Sequence, residues 1–167
     1  MKLEQTADGS YTLYVPELDE HYHSVKGALT ESQHIFIEMG LKHSPVSEPH
    51  ILEIGLGTGL NAFLTLLSAE ETRRKVHYTG IERYPLAEET LKQLDYPRLI
   101  GKQHEEDYYA IHRAPWNTET EVSPWFTLHK IEDDFTRLFN PEEGSRPDVP
   151  LYYIIYFDAL APEKQPE

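Results

Sequence analysis

The stretch that decides the fold runs from residue 50 to residue 82. It reads His50-Ile51-Leu52-Glu53-Ile54, then Gly55-Leu56-Gly57-Thr58-Gly59, then Leu60-Asn61-Ala62-Phe63-Leu64-Thr65-Leu66-Leu67, and later Val76-His77-Tyr78-Thr79-Gly80-Ile81-Glu82. The first five residues are short and apolar and predict a strand. The glycines predict a tight turn: one permits the bend, and another lets a ligand approach backbone with no Cβ in the way. The apolar run from Leu60 predicts a helix whose free N-terminal amides face back toward that turn. Val76–Ile81 predicts a second strand ending on the acid Glu82. Strand, glycine turn, helix, strand and acid is the order of a unit that holds an adenosine, the last carboxylate accepting both ribose hydroxyls.

The spacing narrows the cofactor. A nicotinamide fingerprint is GxGxxG, but here the sixth position is Leu60 and the third glycine arrives early, at Gly59. No Lys-Ser/Thr pair follows, so the turn is not a phosphate-cradling ATP loop. GxGxG fits S-adenosylmethionine, whose far end is an amino acid and not a pyrophosphate. The plain alternative is a strand-to-helix turn with no ligand, and Leu60 disfavours a nicotinamide oxidoreductase.

On the N-terminal side, Leu3, Gln5, Asp8-Gly9, Tyr11, Leu13 and Val15 predict a hairpin that Pro16 ends. Glu20–Gly27 reads as an irregular connector. Thr30 reads as a helix N-cap, with Glu31 in the first turn and Ile35, Phe36, Met39 and Leu41 at helical spacing. On the C-terminal side, Leu86–Leu94 reads as a helix, Tyr96–Pro124 as short helices and loops, and Trp125–Ile131 as a third strand before Glu132-Asp133-Asp134. Phe135–Phe139 reads as a helical turn. Leu151–Phe157 reads as a strand buried on both faces, ending at Asp158. The expectation is an α/β, Rossmann-like fold with a mostly parallel sheet. Residues 1–45 form a hairpin-and-helix extension and 46–167 the core.

Ligands of open α/β sheets bind at the carboxyl ends of the strands. Asp134 and Asp158 both fall there. Asp134 suits the adenine amino group, or else a helix N-cap. Asp158 suits a site beside the methyl donor where an acceptor amine is held, or else a strand-end turn.

Composition excludes several classes. The 167 residues suit one core and contain no cysteine, which removes disulfides, thiolate zinc sites and a cysteine nucleophile. Lys and Arg number 15 against 29 Asp and Glu, so 15 − 29 = −14, the reverse of a bare nucleic-acid binder's basic field. An RNA substrate then needs a local patch or a partner. No apolar run approaches the ~20 residues that span a bilayer, and Met1–Ser10 is too polar for a signal peptide, so a cytoplasmic protein is expected. His21 and His23 fall on one side of an extended segment beside Glu20, but no third histidine follows at ligand spacing, and no metal is expected. Arg73-Arg74-Lys75 complements a helix dipole, with phosphate contact as the alternative.

A family resemblance spans nearly the whole chain. Glu20-His21-Tyr22-His23-Ser24, Gly27-Ala28, Glu31-Ser32, Ile35-Phe36-Ile37, Ile51 to Asn61, Tyr78 to Glu82, Ala114-Pro115-Trp116, Phe126 to Lys130 and Phe157 to Lys164 resemble the MnmC-like tRNA wobble-uridine methyltransferases. The resemblance implies a class I methyltransferase fold. It also implies S-adenosylmethionine-dependent methylation of the 5-aminomethyl group of 2-thiouridine in a tRNA anticodon loop, giving 5-methylaminomethyl-2-thiouridine. It implies a cofactor held by Glu53, Gly55, Gly57, Thr58, Gly59, Asn61, Glu82, Arg83, Asp134 and Asp158. Asp158 would be catalytic, and Tyr22, Ser24 and Glu31 would close over the donor or a flipped base. The family's pattern continues past Glu167, so the last strands of the sheet are expected to be missing, leaving an apolar edge suited to self-association. The alternatives are a class I methyltransferase acting on a small molecule or protein, and an inactive truncated cofactor-binding domain.

Overall fold

A computed structural model describes residues 1–24, 26–138 and 154–157. The Asp8-Gly9 turn reverses the chain between β1 (Lys2–Gln5) and β2 (Tyr11–Val15), with Leu3 opposite Leu13. A two-residue strand, β3 (Glu20–His21), joins the other side of β2 antiparallel, with His21 opposite Tyr14. It lies inside the connector that the sequence leaves irregular, since two residues carry no readable alternation.

The first helix, α1, spans Ala28–Ser32, so Thr30 lies within it and is not its N-cap. The cap comes from far away in sequence. Asp8 Oδ2 accepts the Thr30 amide at 2.9 Å and the Thr30 hydroxyl at 2.8 Å, while Oδ1 accepts the Ser10 amide at 3.0 Å. From Gln33 to Leu41 the helix widens into π geometry, ending with the Lys42 amide on the Ile37 carbonyl at 2.9 Å. Phe36, Ile37 and Leu41 are buried, whereas Ile35 and Met39 are exposed.

The main sheet has five strands among the described residues, in the order β6-β7-β5-β4-β8. Here β4 is His50–Ile54, β5 Val76–Glu82, β7 Phe126–Glu132 and β8 Ile154–Phe157, all parallel. The remaining strand, β6 (Glu119–Ser123), pairs antiparallel with β7. It falls in the stretch read as helices and loops, because Glu119-Thr120-Glu121-Val122-Ser123 is a polar edge strand with no apolar alternation.

The helices are α2 (Leu60–Thr72), α3 (Glu88–Leu94), α4 (Pro97–Ile100), α5 (Glu105–Arg113) and α6 (Phe135–Leu138). α2 is buried nearly all round, as its apolar sequence requires, and packs Phe63 and Leu66 with Ile51, Tyr78 and Leu128 of the sheet. Fully burying one such side chain is worth roughly 1.5–3 kcal/mol. Leu52, Ile54 and Ile81 face the opposite way, against Ile131, Phe135 and Leu138.

The strand read as buried on both faces is not so in its described part. Tyr156 is 2% exposed, packed on Phe36 at 4.9 Å between ring centres, but Ile155 is 63% and Phe157 56% exposed. The reason is position: β8 is an edge strand among the described residues, and the π-helical segment covers one of its faces. Residues 151–153 and Asp158 lie outside the described residues. Among the described residues no helix is long and apolar enough to cross a membrane.

Candidate functional site at the carboxyl ends of the strands

The parallel register pairs Ile54 with Ile81, which brings Glu82 level with the start of the glycine turn. The Gly55 and Leu56 amides both donate to the Ile81 carbonyl, at 2.9 and 3.1 Å. Glu82 then reaches across: its Oε2 accepts the Gly57 amide at 2.8 Å and its Oε1 the Tyr84 amide at 2.9 Å. Burial pushes the Glu82 carboxyl up, and the amide bonds from Tyr84 and Gly57 only partly offset it. The chain leaves β4 toward β5 and returns to β8 on the other side of β4, so the turn lies at a topological switch point, where open α/β sheets bind ligands.

Two glycines are required by what touches them. Gly57 has φ +52°, and a Cβ there would stand 3.1 Å from Tyr22 Cδ1. Gly59 has φ +73°, and its Cβ would stand 2.7 Å from His112 Cε1. Tyr22 thus lies with its ring on the turn, and burial, helped by the Glu82 charge, pushes its hydroxyl up to about 12. The neighbouring His23 Nε2 hydrogen-bonds Thr58 Oγ1 at 2.8 Å. Burial pushes His23 down to about 4, so the bond joins a neutral imidazole to a hydroxyl.

The other predicted residues divide. Glu53 and Asn61 meet each other in the core, both 1% exposed: Asn61 Nδ2 donates to Glu53 Oε1 at 2.8 Å, and the Tyr78 hydroxyl donates to Oε2 at 2.6 Å. Asp134 adopts the helix-cap geometry that its sequence allowed, its Oδ1 accepting the Thr136 amide at 2.9 Å and hydroxyl at 2.7 Å. Those bonds hold its carboxyl below the usual range, and Arg83 pairs with its Oδ2 at 3.2 Å. Ser24 Oγ accepts the Lys26 amide at 3.1 Å, and Glu31 lies in α1 with its amide on the Gly27 carbonyl. Asp158 lies outside the described residues.

Sequence reasoning missed His112 and Lys130. Lys130 is 2% exposed, and its Nζ donates to the His112 carbonyl at 2.9 Å and stands 4.7 Å from the centre of the Trp116 ring. Burial pushes it down to about 8. This clamp holds the end of α5, where Tyr108 packs edge-on against the His112 ring. The only sequence signal is a lone lysine inside an apolar strand. The basic run also resolves: Arg74 donates to the carbonyls of Leu41 at 2.9 Å, Ser44 at 2.8 Å and Val46 at 3.0 Å, so its guanidinium is a loop clamp rather than a phosphate contact.

The cleft bounded by Gly55, Glu82, Arg83 and Asp134 encloses about 30 Å³. Small-molecule pockets begin near ~300 Å³. The residues fit a nucleoside cofactor: a carboxylate at the switch point, a backbone path free of Cβ atoms, and helix amides beyond it. The Tyr22 ring packs on the same turn, at Gly57. A larger groove, about 520 Å³, lies elsewhere, between the π-helical segment and the last turns of α2, on an apolar floor of Leu29, Ile37, Leu64, Leu67 and Ile100. It holds none of the convergent polar groups of the glycine turn. Among the described residues no group of three His, Asp or Glu is placed to hold a metal ion.

The bifunctional protein MnmC of tRNA 5-methylaminomethyl-2-thiouridine biosynthesis from Magnetococcus marinus is 34% identical over 165 residues, covering 93% of this chain and 24% of that protein. Its namesake from Burkholderia mallei is 27% identical over 177 residues, covering 92% and 25%. The crystal structure of MnmC2 from Aquifex aeolicus superposes with a TM-score of 0.71 at 25% identity, over 99% of this chain and 51% of that one. The chain is a homologue of one part of MnmC. It spans about a quarter of the length of the curated MnmC relatives it matches. No family model matches it.

Proposed function

We propose that this MnmC-like chain carries a methyltransferase activity that uses S-adenosylmethionine to methylate the 5-aminomethyl group of wobble 2-thiouridine in tRNA. The observation that carries the reading is the Glu82 carboxylate bonded across to the Gly57 amide, at the switch point of a sheet homologous to MnmC. Gly55, Gly57, Thr58, Gly59, Glu82 and Arg83 form the wall for the nucleoside. Glu53 and Asn61 brace that wall by tying β4 to α2. Asp134 borders the adenine side. Residues 1–45 act as an extension that covers the turn through Tyr22, while Ser24 and Glu31 lie further along the same segment.

When bound, the sulfonium supplies an activated methyl group, so the protein's task is alignment. Glu82 orients the ribose by accepting its hydroxyls. Asp158 is the residue that the family resemblance offers for holding the neutral acceptor amine and taking its proton. A tRNA substrate places this chemistry in the cytoplasm. The test is a titration with S-adenosylmethionine followed by labelled methyl transfer to undermodified tRNA. Binding with transfer to the wobble base is the expected result. No binding up to millimolar ligand sinks the cofactor assignment, and transfer to other acceptors alone sinks the substrate. A second reading, methylation of a small molecule or protein, is favoured by the net charge of −14.

A further inference from the structure

The Tyr22 ring packs on Gly57 and against the core, while its backbone is held elsewhere. Its own amide points away, onto the Leu13 carbonyl at 2.9 Å. The strap Glu20–Ser24 is fastened to β2 by the short β3 pairing and by Thr12, whose hydroxyl accepts the His23 amide at 2.9 Å. A side-chain bond joins it to the turn: His23 Nε2 on Thr58 Oγ1, at 2.8 Å. Both partners are buried, His23 at 6% and Thr58 at 1% exposure, and the Leu60 amide donates to the same hydroxyl at 3.4 Å. The strap lies outside the five-stranded sheet.

We propose that His23 is a positioning residue: its imidazole latches the strap Glu20–Ser24 to Thr58, and release of that latch lifts Tyr22 from Gly57 and admits the nucleoside. The proposal rests on the reading of the turn as an adenosine site. A hydrogen bond of this kind between neutral groups is worth roughly 1 kcal/mol net, and its loss shifts the open population by five- to tenfold.

The experiment uses the whole chain and S-adenosylhomocysteine as the unreactive probe. His23→Phe keeps a ring but removes the bond; Thr58→Val removes it from the other side; Thr58→Ser keeps the hydroxyl. Amide exchange is followed at residues 20–24, 55–59 and in β4 and β5, and association of the probe by stopped flow. His23→Phe and Thr58→Val are expected to speed exchange at 20–24 and probe association by five- to tenfold, leaving β4 and β5 unchanged. Thr58→Ser is expected to leave amide exchange at 20–24 within twofold of the parent. Exchange and association within twofold of the parent in both His23→Phe and Thr58→Val overturn the latch, as does faster exchange spread evenly over the sheet. If His23→Phe does not fold, the Thr58 pair decides alone. If the parent binds no probe, the adenosine reading fails, and local exchange at 20–24 still judges the latch.

Discussion

Replacing Glu82 by Gln separates a binding residue from a structural one. In the native chain the backbone amides of Gly57, at 2.8 Å, Tyr84, at 2.9 Å, and Arg83 point at its carboxylate. Bonds of this charged kind contribute about 1.5–3 kcal/mol each. Glutamine keeps one accepting oxygen, so at least one such bond is lost. Against this, burial raises the Glu82 carboxyl, so the ionised side chain is held at a cost. A raised carboxyl stabilises the fold below its unfolded value of 4.5, and that contribution is gone once pH rises through the folded value. At pH 7 the two effects oppose, and the net stability change of Glu82→Gln is expected to stay within about 1 kcal/mol. Nucleoside binding has no such compensation. Losing a carboxylate that accepts both ribose hydroxyls removes on the order of 2 kcal/mol, a weakening of roughly 30-fold. Urea titration at pH 7 and calorimetry with S-adenosylhomocysteine measure the two quantities. A variant destabilised by more than about 3 kcal/mol that still binds with parental affinity would falsify the reasoning and make Glu82 a turn brace.

Asp8→Ala removes the carboxylate that caps α1 from the hairpin, and is expected to cost about 3 kcal/mol, or a melting temperature lower by roughly 6–12 °C. Although burial alone would raise it, the bonds from Ser10 and Thr30 hold the Asp8 carboxyl below 3.8, so its contribution is present above pH 4 and lost below it; an Asp8→Ala chain as stable as the parent at pH 7 contradicts this. His23 and His112 are both pushed from 6.5 to about 4 by burial, so the unfolded chain binds more protons between those values. Stability is expected to fall as pH drops from 6.5 toward 4, by up to roughly 3 kcal/mol for His23, and urea midpoints that stay flat over that window count against buried neutral histidines. Arg74→Met frees the carbonyls of Leu41, Ser44 and Val46 and is expected to destabilise by about 2 kcal/mol with faster amide exchange around residues 41–46; unchanged exchange there removes the clamp.

The central unit was legible because each of its steps is local. Ile51–Ile54 can only be a buried strand, the glycines can only turn, and Val76–Ile81 ends on the acid that the register brings beside Gly55. What the sequence hides is what distant residues do to one another. Thr30 carries the signature of an N-cap, but Asp8, 22 residues earlier, satisfies its amide and hydroxyl, and the helix begins sooner. His23 read as half of a weak metal pair, and its true partner, Thr58, lies 35 residues away. Strand β6 hid because an edge strand needs no apolar alternation. Asp134 was ambiguous between adenine contact and cap for a physical reason: a strand-end carboxylate followed by a short helix serves as a cap whether or not a ligand is near.

The charge near the turn also bears on how RNA would be recognised. Arg83 is paired with Asp134 at 3.2 Å, Arg137 lies 3.7 Å from Asp133, and Arg113 lies 3.8 Å from Glu106. Lys130 is buried on a carbonyl and Arg74 is bound to three. These five cations are already matched, within a chain of 29 acids and 15 bases. A nucleic-acid site that works by phosphate attraction needs unmatched cations, since released counterions supply its affinity. For the proposed substrate the weight then shifts from the phosphate backbone to the flipped base, whose primary amine, protonated in solution, is attracted to acids at the strand ends and gives up that proton before it attacks. An acidic surface is adverse for the tRNA as a whole and favourable for the one group that the proposed reaction methylates.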